Sequence, residues 1–307
     1  MIHGVINIHK EKGYTSHDVV AKLRGIVGQK KIGHTGTLDP DATGVLPVCF
    51  GKATKLCDML TDKNKTYETV MLLGKTTDTQ DISGTVLSEQ STDHLNEEQV
   101  LSVIQSFVGD YMQVPPMYSA LKVNGKKLYE LAREGIEVER KARPVVIFGI
   151  KVKEVNLPRI RMEVSCSKGT YIRTLCHDIG EKLGCGACME ELVRTKVSCF
   201  ELKDSFTLSE VQDFKEADRL EEILVPIDEM FSEYEAVTLK DEFLSLVYNG
   251  NTFLPKHLKN HIELSDGKMV RVYDGKGQFV ALYKFLEEKY IFKIEKMFFE
   301  RTHDAVH

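Results

Sequence analysis

The chain has 307 residues, long for one compact domain and comfortable for two, with 42% hydrophobic and 28% charged residues. That balance excludes intrinsic disorder and collagen-like repeats, and no apolar run approaches the roughly 18 residues a membrane helix needs. The net charge of -5 disfavours a nucleic-acid partner only as a sum: residues 1–75 hold 11 Lys and Arg against 7 Asp and Glu, residues 115–175 hold 13 against 6, and residues 200–245 hold 4 against 14. One acidic stretch masks two basic regions, and a phosphate responds to charge within a Debye length of roughly 8–10 Å.

The first segment, MIHGVINIHKEKGYTS, lacks the apolar core and small-residue cleavage site of a secretory signal. Ser16 is expected to cap a helix with Val19, Val20, Leu23, Ile26 and Val27 at helical spacing, stopped by Gly28. KIGHTGTLDPDATGVLPV follows no period and reads as a long, structured, functional loop. YETVMLLG (67–74) reads as a strand, and Val86-Leu87 starts another extended piece. Asn96 opens a helix with Val100, Leu101, Ile104 and Phe107 on one face, closing near Gly109, and KKLYELAREG is a short helix ending at Gly135. PVVIFGIKVKEV and IRMEVSCS read as strands, and Thr170 as the cap of a helix through Leu175 and Ile179 to about Gly184. TLKDEFLSLVYNG is expected to be an amphipathic helix stopped at Gly250, before a hairpin of MVRVY and FVALY around DGKGQ and a further strand, IFKIEKMFF. Hairpins mixed with helices, without regular β-α-β alternation, give an α+β class.

Seven scattered cysteines, an odd number, fit a reducing cytoplasm. Cys185-x-x-Cys188 has only His177 nearby as a further ligand, so buried thiols are preferred to a metal site. Asp39 and Asp41 stand in TLDPDAT. A loop Asp is usually a cap or turn residue. Here Gly33, Gly36 and Gly44 permit close backbone approach, and Pro40 restrains Asp39, so the reading is a carboxylate held in a stiff loop. DPDAT matches the D-x-D-x-T text of aspartyl-phosphate phosphatases but lacks the buried apolar strand before it, and GVLPVCFGKAT lacks P-loop spacing.

GHTGTLDPDATGVLPVCFGKATKL (33–56) resembles the signature of the bacterial tRNA pseudouridine-55 synthase family, known as TruB. KTYETVMLLGKTTDTQDISG (65–84), PPMYSALKVNGKKLYELAREG (115–135) and CSKGTYIRTLCHDIGEKLG (166–184) resemble its later blocks in the same order. The resemblance implies a pseudouridine synthase fold with a central, mostly antiparallel sheet in residues 1–230, a connector at 231–238, and a small β-rich, PUA-like RNA-binding domain at 239–307. It implies isomerisation of a uridine in the tRNA T arm, at position 55, without cofactor or metal; oligomeric state is left open, a monomer being the simplest expectation. Asp39 matches the family's essential carboxylate and Arg173 the arginine that pairs with it. A guanidinium beside a desolvated Asp is expected to keep it ionised. Tyr67 matches the tyrosine that stacks on the target base, Tyr171 a second base contact, and Leu192 an apolar or backbone contact to the uracil. His34 matches the histidine that enters the RNA loop as the base leaves. Lys52, with Lys10, Lys12, Lys55, Lys122, Lys126 and Lys127, is a candidate phosphate contact. The chain departs from the family pattern at Glu11, where Lys-Pro is frequent, at Val193, and at Ser198-Cys199. An RNA chaperone that grips the tRNA elbow is the alternative reading.

Overall fold

The computed structural model describes residues 1–299. In chain order, the first half contains strands β1 (Gly4–Lys10), β2 (Ile32–His34), β3 (Thr43–Phe50), β4 (Lys65–Leu73), β5 (Lys75–Thr77), β6 (Val86–Glu89), β7 (Gly109–Gln113), β8 (Lys122–Val123) and β9 (Lys126–Lys127). Its helices are α1 (Ser16–Val27), α2 (Cys57–Thr61), α3 (Glu97–Gln105) and α4 (Leu128–Arg133). The second half contains β10 (Arg143–Asn156), β11 (Arg159–Cys166), β12 (Ala187–Val197), β13 (Phe200–Glu201), β14 (Glu235–Thr238), β15 (Met269–Tyr273), β16 (Phe279–Leu286) and β17 (Ile291–Met297), with α5 (Ile172–Leu183), α6 (Leu208–Glu216) and α7 (Leu244–Tyr248). Contacts divide the chain into two units: one of residues 6–48 and 56–220, the other of residues 1–5, 49–55 and 221 onward.

The larger unit is built on a sheet in the order β1-β3-β12-β4-β11-β10-β7. The pairs β12–β4, β4–β11, β11–β10 and β10–β7 are antiparallel, whereas β3 and β12 run parallel. The expected mostly antiparallel α+β class therefore holds. Alternation decides which face is buried. Tyr67 and Met71 of β4 and Met162 and Val164 of β11 join Val100 and Ile104 of α3 and Leu175 and Ile179 of α5 in one apolar cluster. Glu68 and Glu163, out of phase with these residues, join Lys153 and Arg161 in an ion-pair network.

Five local expectations change. The cap of α1 is Thr15, in a reciprocal box with Asp18, while Ser16 is fully buried and spends its hydroxyl elsewhere. GVLPV, expected as the end of the loop, lies instead in β3, a continuous apolar run through Phe50 that suits a strand buried on both faces. Thr170 does not cap α5: Tyr171 sits at the N-cap, and the Thr170 hydroxyl donates to Ser167 O. The helix expected from Thr238 shrinks to a 3-10 turn (Asp241–Phe243) and the short α7, because strand pairing captures its start. Glu235–Thr238, inside the expected connector, is the strand β14, parallel to β15.

In the second unit, β14-β15-β16-β17 form one sheet with the expected hairpins, over a core of Val237, Val270, Val272, Tyr283, Phe285 and Phe292.

Candidate active site

The turn between β2 and β3 carries Asp39, and its backbone is pinned from several directions. Ser16 Oγ accepts the Leu38 N–H at 2.9 Å, and Gly13 N–H donates to Pro40 O at 2.9 Å. Lys10 is fully buried; its ammonium donates to Pro40 O at 3.1 Å, Ala42 O at 2.6 Å and Glu11 O at 3.1 Å. Lys10 is thus a clamp on the loop and not the exposed phosphate contact expected. Burial lowers its pKa to about 8.

Gly44 explains the glycine that follows this turn. It has φ +106°, and a Cβ there would lie 2.3 Å from Arg194 O, which is where the parallel register pairs Gly44 with Arg194.

Asp39 meets Arg173 from the first turn of α5. Arg173 Nε lies 3.1 Å from Asp39 Oδ2, and an Nη donates to Oδ1 at 3.4 Å. The guanidinium also donates to Thr79 O at 3.1 Å and Tyr118 O at 2.8 Å and pairs with Asp81 at 3.4 Å. Its side chain is 6% exposed, that of Asp39 41%. The carboxylate is therefore partly open to solvent and partly shielded, while the arginine is sealed behind it. The Asp39 carboxyl sits above its ordinary pKa, because loss of water outweighs the attraction of Arg173 and the Asp81 charge adds to the upward push. Arg173 favours the ionised form, as expected, but its charge is divided among four acceptors and burial works against it.

Asp81 was not singled out by the sequence reading. It occupies DTQDIS, a polar turn in which Oδ1 accepts from Thr79 Oγ1, Ser83 Oγ and Ser83 N–H, leaving Oδ2 to Arg173. This turn is tied to the start of β12 through Ile82 N–H to Met189 O and Met189 N–H to Gln80 O.

Tyr67 points into the apolar cluster that includes Leu38, with Leu192 packed against it. Burial pushes its phenol up to about 12, against the pull of the Arg194 guanidinium that hydrogen-bonds it. Arg194 lies opposite Tyr67 in the β12–β4 register and is fully buried. Its Nε donates to Val45 O at 2.8 Å, and its terminal nitrogens donate to Gly36 O at 3.3 Å and Thr37 O at 3.5 Å. The sequence reading also passed over this residue; the available signal was a charge in LVRT, two residues from Leu192 on the same strand face.

Tyr171 enters beside Arg173, and both Arg173 and Asp39 act on its phenol, which burial pushes up. Its backbone is gripped by the buried Gln113: Tyr171 N–H donates to Oε1 at 2.8 Å, and Nε2 donates to Tyr171 O at 3.0 Å. His34 ends β2, with its ring edge-to-face with His17 at 5.2 Å. Gly36 N–H donates to His34 Nδ1 at 3.3 Å, and burial with His17 and Arg194 lowers its pKa, so the ring is neutral. Lys52 belongs to the other unit, in the 3-10 turn Gly51–Leu56, where its N–H donates to His3 Nδ1. It is not among the partners of Asp39.

Cys185 and Cys188 are buried thiols, Cys188 pushed up to about 11 by burial. Among the described residues, no three His, Cys, Asp or Glu side chains converge as a metal site. What converges is one reachable carboxylate, a sealed guanidinium and two phenols, a set suited to nucleophilic or proton-transfer work on a ligand with a flat ring.

Residues 24–172 match the TruB family pseudouridylate synthase N-terminal domain, and residues 173–232 match the tRNA pseudouridylate synthase B C-terminal domain. The chain is 49% identical to tRNA pseudouridine synthase B of Lachnoclostridium phytofermentans, over 97% of this chain and 100% of that one. It is 44% identical to the protein of the same name from Clostridium tetani, over 96% and 99%. Among solved structures, an H/ACA RNP bound to a substrate RNA containing 2′-deoxyuridine matches with a TM-score of 0.73 and 27% identity, covering 97% of this chain and 86% of that one. A Cbf5-Nop10-Gar1 complex matches with a TM-score of 0.73 and 29% identity, with the same coverage. With near-full-length relatives at this identity, the chain belongs to the TruB family of pseudouridylate synthases.

Proposed function

We propose that this chain isomerises uridine to pseudouridine in tRNA, at position 55 of the T loop, with Asp39 as the catalytic carboxylate. The observation that carries the reading is the Asp39–Arg173 pair: an accessible carboxylate at 3.1 Å from a guanidinium fixed by Thr79 O and Tyr118 O. In the reaction the C1′–N1 bond breaks, the uracil turns, and a C1′–C5 bond forms. The C5 proton leaves and N1 gains one, so no oxidant, reductant or cofactor enters the balance. Asp39 serves as nucleophile at C1′ or as base at the ribose. Tyr67 and Tyr171 hold the uracil ring, Leu192 offers it an apolar edge, and His34, flat and neutral, fills the space the everted base leaves. Eversion costs a few kcal/mol, which stacking partly offsets. Lys52 contributes a phosphate contact, and the second unit serves a PUA-like role in RNA binding. The protein works as a monomer in the cytoplasm.

The test is Asp39→Asn with a T-arm transcript and no added cofactor. Retained binding with no pseudouridine supports the assignment. Substantial product from the folded variant overturns it.

A further inference from the structure

Arg194 has a property that none of the roles above requires. It is a fully buried cation with no carboxylate within ion-pair distance among the described residues; its hydrogen bonds go to the carbonyls of Val45, Gly36 and Thr37 and to the Tyr67 phenol. Stripping a guanidinium of water without an anion in return is expensive, and an apolar side chain at the same strand position would avoid the cost. The partners lie on both sides of the site. Gly36 and Thr37 form the backbone just before Asp39, Val45 is in the strand just after it, and Tyr67 is on the neighbouring strand β4. Only a planar fork with donors in fixed directions can serve so many acceptors at once. Two irregularities in the β12–β4 register, between Met189 and Glu191 and between Arg194 and Lys196, bracket this stretch of β12 and re-aim its side chains, as bulges beside sites do.

We propose that Arg194 is a positioning residue of the reaction, holding the Asp39 loop and the Tyr67 phenol in one frame and so fixing the separation between the group that works at the sugar and the ring that faces the base. The inference rests on the function proposed above. The charge has a second effect: it favours the ionised form of a phenol that burial otherwise disfavours. Arg194 touches no substrate atom in this account; it acts through its neighbours.

The experiment measures single-turnover pseudouridine formation in a T-arm transcript, with wild type and Arg194→Lys, beside RNA affinity and thermal melting. Lysine keeps the charge and loses the fork. The expected result is a rate lowered about 100-fold, the usual cost of a misplacement near 1 Å, with affinity within about threefold of wild type. Adding Arg194→Lys to Tyr67→Phe is expected to cost less than it costs alone, because one of the contacts it breaks, that to the phenol, is already gone. A rate within threefold of wild type, losses that multiply in the double variant, or affinity falling in parallel with rate would each overturn the proposal. If Arg194→Lys does not fold, Arg194→Gln is assayed in its place; if neither folds, the residue serves the fold alone and the proposal fails. Wild type without product would instead refute the proposed function.

Discussion

Burial lifts the Asp39 carboxyl above its ordinary pKa against the pull of Arg173, which divides one charge between two carboxylates and two carbonyl oxygens. The sign matters for both stability and rate. A raised carboxyl pKa means the folded state binds that proton more tightly than the unfolded chain does. Its contribution is complete below the ordinary value near 3.8 and is lost as pH rises through the folded value. At pH 7 the ionised Asp39 therefore burdens the fold, and Asp39→Asn is expected to melt at or above the wild-type temperature while making no product. Acid should silence the wild-type enzyme before the pH has fallen to the ordinary value of 3.8; a rate that persists down to pH 3.8 would contradict this. Lys10 and Lys65 titrate in the opposite sense. Both are buried with carbonyl partners and have pKa values lowered to about 8 from 10.5. Between about 8 and 10.5 the unfolded chain binds these protons and the folded one releases them, so this part of the stability rises with pH, by at most roughly 1.4 kcal/mol per pH unit per group. Comparing melting of wild type and Lys65→Met from pH 7.5 to 10 should show wild type gaining on the variant; parallel profiles would refute it. At this scale Asp39, Tyr67, Arg173 and Tyr171 were legible because long sequence blocks carry them. Asp81, Gln113 and Arg194 were not, because their work is done on residues 92, 58 and up to 158 positions away.

Strand pairing decides which elements the sequence reveals. The amphipathic pattern and the Asn96 capping box made α3 readable, and α1 differed only in taking its cap one residue earlier. β3 was hidden because a strand buried on both faces shows no alternation, and the helix at 238–250 was overcalled because Glu235–Thr238 finds a strand partner that local pattern does not encode. The parallel β3–β12 step is the element-level hinge of the site, since it brings Thr43-Gly44 beside Val193-Arg194. Gly44→Ala would force a Cβ to 2.3 Å from Arg194 O at φ +106°, and should destabilise the fold by about 3 kcal/mol or more, measured by denaturant melting. Ser16→Ala removes the acceptor of a buried N–H next to Asp39. It should cost about 1–3 kcal/mol and slow catalysis without changing RNA affinity; wild-type stability would show that the hydroxyl does not hold the loop.

Charge is distributed at the scale of the whole molecule in a way its sum of -5 conceals. The residue 115–175 stretch includes the small β8–β9 hairpin, on which Lys122 and Lys126 are exposed. Lys122→Glu is expected to weaken T-arm binding evenly across RNA sequences and to lower the salt slope of log affinity by about one or two. An unchanged slope would place the phosphate contacts elsewhere. At this level the α+β class with a mostly antiparallel sheet was readable, from hairpins mixed with helices. The grouping of residues 1–5 and 49–55 with the chain beyond 220 was not, because those short stretches carry no signature of their own.

The tie from Arg194 to Gly36, Thr37 and Val45 also orders events in time. A ribosome makes the turn bearing Asp39 early and reaches Arg194 only after most of the larger unit has been translated. Until then the nascent turn lacks its neighbouring strand as well as its guanidinium, and domains fold as units. Chains that end before that point therefore leave the carbonyls of Gly36, Thr37 and Val45 without the donor that ties them together in the finished protein.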